Sequence, residues 1–224
     1  MAIILNKSMF IHIPKTGGTW VIEAVKQAKL FKKRAKPKHP SLVEFRSMNP
    51  KFDVNNLRFF TFVRNPVTWW QSRWSDPYMR KQFVNDERPE KMPWVGNIRW
   101  LNYESMITSQ DQHDDFNTYV ESILERRPGF GAEYFRFMTN VVKLEVGKYE
   151  RIVQDLIEIL YRCGEEFDRE DIINTPKANE SDLELKNRRR YKEKNLKKLI
   201  DAEKKMMEQY DYSTKIEDYS DLIL

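Results

Sequence analysis

Met9-Phe10-Ile11-His12-Ile13-Pro14-Lys15-Thr16-Gly17-Gly18-Thr19-Trp20 is the stretch from which the fold is read. Its first five residues form an apolar, β-prone run, as expected of a buried strand. Pro14 ends the run, and two glycines allow a tight turn. An amphipathic helix is then predicted from about Thr19 to Lys32, with Val21, Ile22, Val25 and Leu30 on one face. Small residues between a strand and a helix let main-chain N–H groups point at an anion, and the helix start adds the positive end of a dipole. Thr16 and Thr19 add hydroxyl donors, and Lys15 adds a full charge. The arrangement is not a Walker A loop, because that motif places its glycines ahead of Lys-Ser/Thr. Nucleotide triphosphatase chemistry is disfavoured on that ground.

The same grammar recurs downstream. Leu57–Val63 reads as a second strand and runs into Arg64-Asn65-Pro66, where Pro66 suits the first turn of a helix carrying Trp69, Trp70, Ser72 and Trp74. A helix is predicted around Phe116–Glu125, and a third strand at Val141–Val146, extending as far as Tyr149. A well-patterned helix follows from Arg151 to Arg162, stopped near Gly164. The C-terminal third is helical, with Leu196, Leu199, Ile200, Met206, Met207 and Tyr210 in register. Residues 33–56 and 76–112 read as irregular, with a short helix possible at Ser41–Met48. Strands alternating with helices predict an α/β fold, with one mostly parallel sheet between helices.

Composition narrows the classes. The 224 residues are 40% hydrophobic and 33% charged, with 7 glycines and 10 prolines, so a packed core is affordable and a low-complexity chain is not indicated. No linker or repeat divides the chain, and residues 1–224 read as one domain. No apolar run approaches the ~20 residues needed to span a bilayer. The N-terminus reads as a strand lead-in rather than a signal peptide, and no membrane anchor is expected. A single cysteine, Cys163, excludes an internal disulfide and suggests a reducing, cytoplasmic setting. With three dispersed histidines, His12, His39 and His113, no metal site is expected.

The net charge is +5 and uneven. Residues 26–38 hold seven basic and no acidic side chains, and 186–198 hold eight basic against Glu193. The remainder is net acidic. Such patches attract phosphates, sulfates or polyanions, or serve as a solvated basic face. No nucleic-acid motif accompanies them, and no nucleic-acid partner is expected.

Taken together, Pro14–Trp20 resembles the 5′-phosphosulfate loop of PAPS-dependent sulfotransferases, in the form of the carbohydrate-type and bacterial branches. Phe60–Trp74 resembles their 3′-phosphate segment, a strand ending in Arg-Asn-Pro with Ser72 eight residues after Arg64. Lys148-Tyr149-Glu150 and Asn179-Glu180-Ser181 with the basic run after it are weaker parallels. The resemblance implies a P-loop-like nucleotide-binding domain and transfer of a sulfuryl group from 3′-phosphoadenosine 5′-phosphosulfate (PAPS) to a hydroxyl, less favourably an amine. The acceptor would be a carbohydrate or other small molecule. An inactive nucleotide- or polyanion-binding module of the same fold is the alternative.

By the same resemblance, Lys15 would contact the bridging oxygen on which charge builds as the S–O bond breaks. Thr16, Gly17, Gly18 and Thr19 would bind the 5′-phosphate. Arg64 and Ser72 would hold the 3′-phosphate, joined by one of Arg188, Arg189 and Arg190. The Gly that often follows the family's basic pair is Tyr191 here. Trp20 stands where an aromatic stacks on adenine in some members, and a core aromatic of the first helix is the other reading. A base must accept the hydroxyl proton. His39 is the first candidate and Glu44 the second. No metal is required. Trp69, Trp70, Trp74, Tyr78, Trp94, Trp100 and Tyr103 could line an acceptor subsite or pack a core.

Overall fold

The computed structural model describes residues 2–34, 45, 49, 56–75, 113–140, 144–178 and 183–224. The strands are β1 (Ile3–Ile4), β2 (Ser8–Phe10), β3 (Lys33–Arg34), β4 (Arg58–Val63) and β5 (Leu144–Lys148). The α-helices are α1 (Gly18–Gln27), α2 (Pro66–Trp74), α3 (Phe116–Arg126), α4 (Phe130–Thr139), α5 (Ile152–Arg162), α6 (Arg169–Ile173), α7 (Leu183–Arg188) and α8 (Glu193–Gln209). Short 3₁₀ turns occupy Tyr149–Arg151 and Ile216–Leu222. None of these helices is long and apolar enough to cross a membrane.

The fold is α/β, with a five-stranded mixed sheet in the order β3-β1-β2-β4-β5. Parallel pairing joins β2 to β4 and β4 to β5, with Phe10 opposite Phe60 and Val63 opposite Lys148. The other two pairings, β1 with β2 and β1 with β3, are antiparallel. This differs from the single strand foreseen near the N-terminus. Only Leu5–Lys7 separates β1 from β2, and a parallel partner would need a crossover of a dozen or more residues. The Leu5 N–H donates to the Ser8 carbonyl at 2.8 Å and closes the hairpin.

Two compact units can be distinguished within the chain. Met1–Asn65 and Phe135–Glu180 make the first, and Pro66–Tyr134 and Ser181–Leu224 make the second. The first unit contains the whole sheet. Phe10, Phe60 and Phe62 share one sheet face and pack with Trp20, Val21, Ala24 and Val25 of α1 and Leu156, Ile159 and Leu160 of α5. Met9, Ile11, Phe59, Thr61 and Val63, of opposite parity, are buried too. A strand covered on both faces reads as a continuous apolar run, which is why Phe59–Val63 was legible.

Helix ends follow local chemistry. α1 stops earlier than predicted, because Lys29 adopts a left-handed φ of 58° and the Leu30 N–H reaches back to the Val25 carbonyl at 2.9 Å. α5 ends as expected at Gly164 (φ 77°), with the Glu165 N–H on the Leu160 carbonyl at 3.0 Å. α3 starts at Asp115, whose carboxylate accepts the Thr118 N–H at 2.8 Å.

The second unit is helical. Trp69 and Trp70 of α2 are fully or almost fully buried, and Trp69 stacks on Tyr134 with ring centres 6.1 Å apart. α8 presents Leu196, Leu199, Ile200, Met206 and Met207 inward. α4, whose residues from Phe135 on belong to the first unit, was not foreseen, although Phe130, Tyr134, Phe135 and Met138 recur at helical spacing and are all buried.

Candidate functional site

The site starts where β2 ends. The strand stays extended past Phe10, and the Ile11 N–H donates to the Phe60 carbonyl at 2.8 Å. The turn from Pro14 then carries two left-handed residues, Lys15 at φ 66° and Gly17 at φ 81°. For lysine this conformation costs on the order of 1–3 kcal/mol and persists only where its surroundings enforce it. One enforcing contact is local. The buried Thr16 hydroxyl donates to the Ile13 carbonyl at 2.7 Å and pins the turn. Thr16 therefore spends its hydroxyl proton on the chain, and only its N–H is left to serve as the donor expected of it.

Gly17 is the residue before α1, and no side chain caps the helix start. No acidic residue lies in the first turn either, so the dipole's positive end faces no carboxylate of its own helix. Glycine is required at both positions. A Cβ on Gly17 would strike Ile152 and Tyr149, besides straining the backbone, and a Cβ on Gly18 would strike the His12 ring. His12 is buried and stacks on Phe10, with ring centres 5.7 Å apart. Thr19 is exposed on the first turn of α1. Trp20 belongs to the core. It is 8% exposed, and its indole N–H donates to the Thr175 carbonyl at 3.3 Å. The stacking platform considered for it needs an open ring face, and this ring is packed over.

Because β4 runs parallel to β2, its carboxyl end reaches the same edge of the sheet. Arg64 leaves that end half-buried and donates from Nη1 to the Lys15 carbonyl at 3.2 Å. Its guanidinium lies 4.2 Å over the Tyr149 ring. The next residue, Asn65, donates its N–H to the Glu150 carboxylate at 2.9 Å. Three strand ends thus meet in the first unit: the turn after β2, Arg64-Asn65 after β4, and Tyr149-Glu150 after β5. Ligands of open α/β sheets bind beyond such carboxyl ends. Glycine-turn N–H groups, an uncapped helix start and a guanidinium, with the Lys15 side chain on the same turn, are the kinds of group that can receive an oxyanion.

Tyr149 and Glu150 were seen from sequence only as a weak parallel. The signal that finds them is positional: they follow β5 as Arg64 follows β4.

The other expected nucleotide contacts lie in the second unit. Ser72 is half-buried on α2. The neighbouring Gln71 donates from Nε2 to the Arg189 carbonyl at 2.8 Å, and Arg189 Nη1 approaches Ser75 Oγ at 3.4 Å. Arg188 is exposed, 5.8 Å over Trp74, and Nη2 reaches the Asp114 carbonyl at 3.4 Å. Arg190 is exposed, and its carbonyl accepts from Asn117 at 3.0 Å. Arg188 and Arg189 both reach the end of the Ser72 helix, Arg188 over the Trp74 ring and Arg189 at the Ser75 hydroxyl. Tyr191 is buried, and its hydroxyl donates to the Val67 carbonyl at 2.7 Å.

His39 and Glu44 lie outside the described residues, as do Tyr78, Trp94, Trp100 and Tyr103. Trp69, Trp70 and Trp74 are core residues of the second unit rather than open subsite walls. Cys163 is buried, and burial, reinforced by the Glu145 charge, pushes its thiol up to about 11.

Compared with known protein families, curated proteins and solved structures, the chain matches none of them.

Proposed function

We propose that this protein is a PAPS-dependent sulfotransferase that sulfates a hydroxyl of a carbohydrate or other small molecule. The observation that carries the reading is the bond from Arg64 to the Lys15 carbonyl. It joins two motifs 49 residues apart in the sequence at one anion-facing turn.

The donor set fits a phosphosulfate nucleotide, because it offers backbone N–H groups and two cationic side chains. When bound, PAPS supplies a sulfuryl group on a phosphate leaving group. Gly17, Gly18 and Thr19 hold the 5′-phosphate by N–H and hydroxyl donors. Arg64 presents its planar fork to the 3′-phosphate, while Tyr149 supports the other face of the guanidinium. Lys15 stabilises negative charge on the bridging oxygen as the S–O bond breaks. The acceptor oxygen attacks sulfur, and His39, or Glu44 in its place, takes the hydroxyl proton. Adenosine 3′,5′-bisphosphate and a sulfate ester leave. Ser72 and one of Arg188, Arg189 and Arg190 enter as further 3′-phosphate contacts on the strength of the sequence resemblance alone.

The test is calorimetric titration of adenosine 3′,5′-bisphosphate into wild type and Arg64→Ala at two salt concentrations. One-to-one binding that Arg64→Ala weakens about tenfold or more is expected, since a charge-assisted bidentate contact is lost. No binding to wild type at either salt sinks the proposal.

A further inference from the structure

Arg73 of α2 is 6% exposed, and its Nε atom is buried with no hydrogen-bond partner. Among the described residues no carboxylate pairs with it. Its guanidinium lies 4.9 Å over the Trp69 ring, itself fully buried. Arginine cannot shed its charge at any physiological pH. Taking that charge out of water is expensive, and a ring face offsets only part of the penalty. A buried guanidinium is ordinarily paired with an anion. No such anion is found among the described residues of this unit, although Glu203 is buried there. The Glu203 carboxylate is already taken by Trp70 Nε1, Gly131 N–H and Ala132 N–H.

We infer that Arg73 is the receptor of an oxyanion, a sulfate, phosphate or carboxylate group brought by a ligand, whose two oxygens would meet the Nη1–Nη2 edge of the guanidinium. Such an edge matches two oxygens of one acid group. Carbonyls and hydroxyls do not compensate a full charge, so a neutral sugar or lipid would leave the site as it stands. The site belongs to the second unit alone and does not depend on the sulfotransferase reading.

The probe is inorganic sulfate at constant ionic strength, balanced with chloride and read by thermal unfolding of the full chain, every protein carrying Lys15→Ala and Arg64→Ala so that the oxyanion groups of the first unit are removed. That parent, with Arg73 intact, should show a saturable rise in Tm. Arg73→Met should begin at an equal or higher Tm, because a buried charge without a counter-ion is removed, and should show only the unsaturable rise that sulfate gives proteins in general. Arg73→Lys keeps the charge without the fork and should need about tenfold more sulfate or above. A marked loss of Tm in Arg73→Met without sulfate overturns the inference, since it reveals a counter-charge within the chain. So does a saturable response that survives in Arg73→Met, or one unchanged in Arg73→Lys. Calorimetry on Arg64→Ala reads the sulfotransferase proposal separately.

Discussion

Arg64 donates from Nη1 to the main-chain carbonyl of Lys15 at 3.2 Å, and its guanidinium lies 4.2 Å over Tyr149. The bond engages the backbone of Lys15 rather than its side chain. It therefore helps hold the left-handed turn without neutralising the ammonium. One arginine thus has two tasks, shaping the glycine turn and supplying charge beside it.

Lys15 and Arg64 should differ in kinetic signature. On the proposed sulfotransferase reading, Lys15→Ala should leave affinity for adenosine 3′,5′-bisphosphate within a few-fold of wild type, because that nucleotide lacks the sulfuryl group. Its kcat should fall by about 10²–10³, the usual loss when one donor to a developing charge is removed. Paired calorimetry and turnover assays measure both. Equal losses of binding in Lys15→Ala and Arg64→Ala would contradict this division of labour.

Gly18 is held against the His12 ring, where a Cβ has no room. Gly18→Ala should destabilise the protein by about 1–3 kcal/mol through overpacking. Adding His12→Ala should recover part of that loss, so the pair should couple in a double-mutant cycle. Denaturant unfolding of the four proteins tests it. Strict additivity would mean the two residues do not meet.

Glu203 on α8 accepts from Gly131 N–H at 2.9 Å, Trp70 Nε1 at 3.2 Å and the Ala132 N–H. Its burial raises the carboxyl pKa above 4.5, against the pull of those donors. A raised carboxyl pKa means the folded state binds its proton more tightly than the unfolded state. Its contribution is complete below the unfolded-state pKa and is lost as pH rises through the folded-state value. The stability advantage of wild type over Glu203→Gln should therefore shrink as pH is raised from about 4 toward neutrality, as read by urea unfolding at several pH values. Glu203→Ala, which leaves three donors without an acceptor, should cost about 1–3 kcal/mol or more.

Cys163 is 4% exposed, and its thiol is pushed up to about 11. Thiolate is the reactive form. Native protein at about pH 8 should resist alkylation, and denaturant should release a single reactive thiol. Mass spectrometry after iodoacetamide treatment measures the modified fraction. Rapid stoichiometric labelling of the native protein would refute it.

Much of this molecule can be read one segment at a time. The turn at Pro14–Gly18, the strand into Arg64, and the helix stopped at Gly164 all declare themselves through periodicity and turn residues. Each of these signals acts over a few residues, because backbone sterics and the apolar repeat of one element suffice to produce it. What needed the folded chain was the choice of distant partners. Trp20 was open to two roles until its ring proved packed. Glu203 falls on the apolar stripe of α8, between Ile200 and Met206, yet its three donors come from two other helices. Nothing in the sequence marks Arg73, whose Nε is buried without a hydrogen-bond partner.

The sequence by itself determined the strand–turn–helix elements and the residue types able to meet an anion. Tertiary structure alone decided that β1 folds back antiparallel, that Arg64 reaches the Lys15 carbonyl, and that Trp20 faces the core. The physical reason is range. Propensity and period are local properties of the chain, whereas hydrogen-bond partners and burial arise only when packing brings remote segments together.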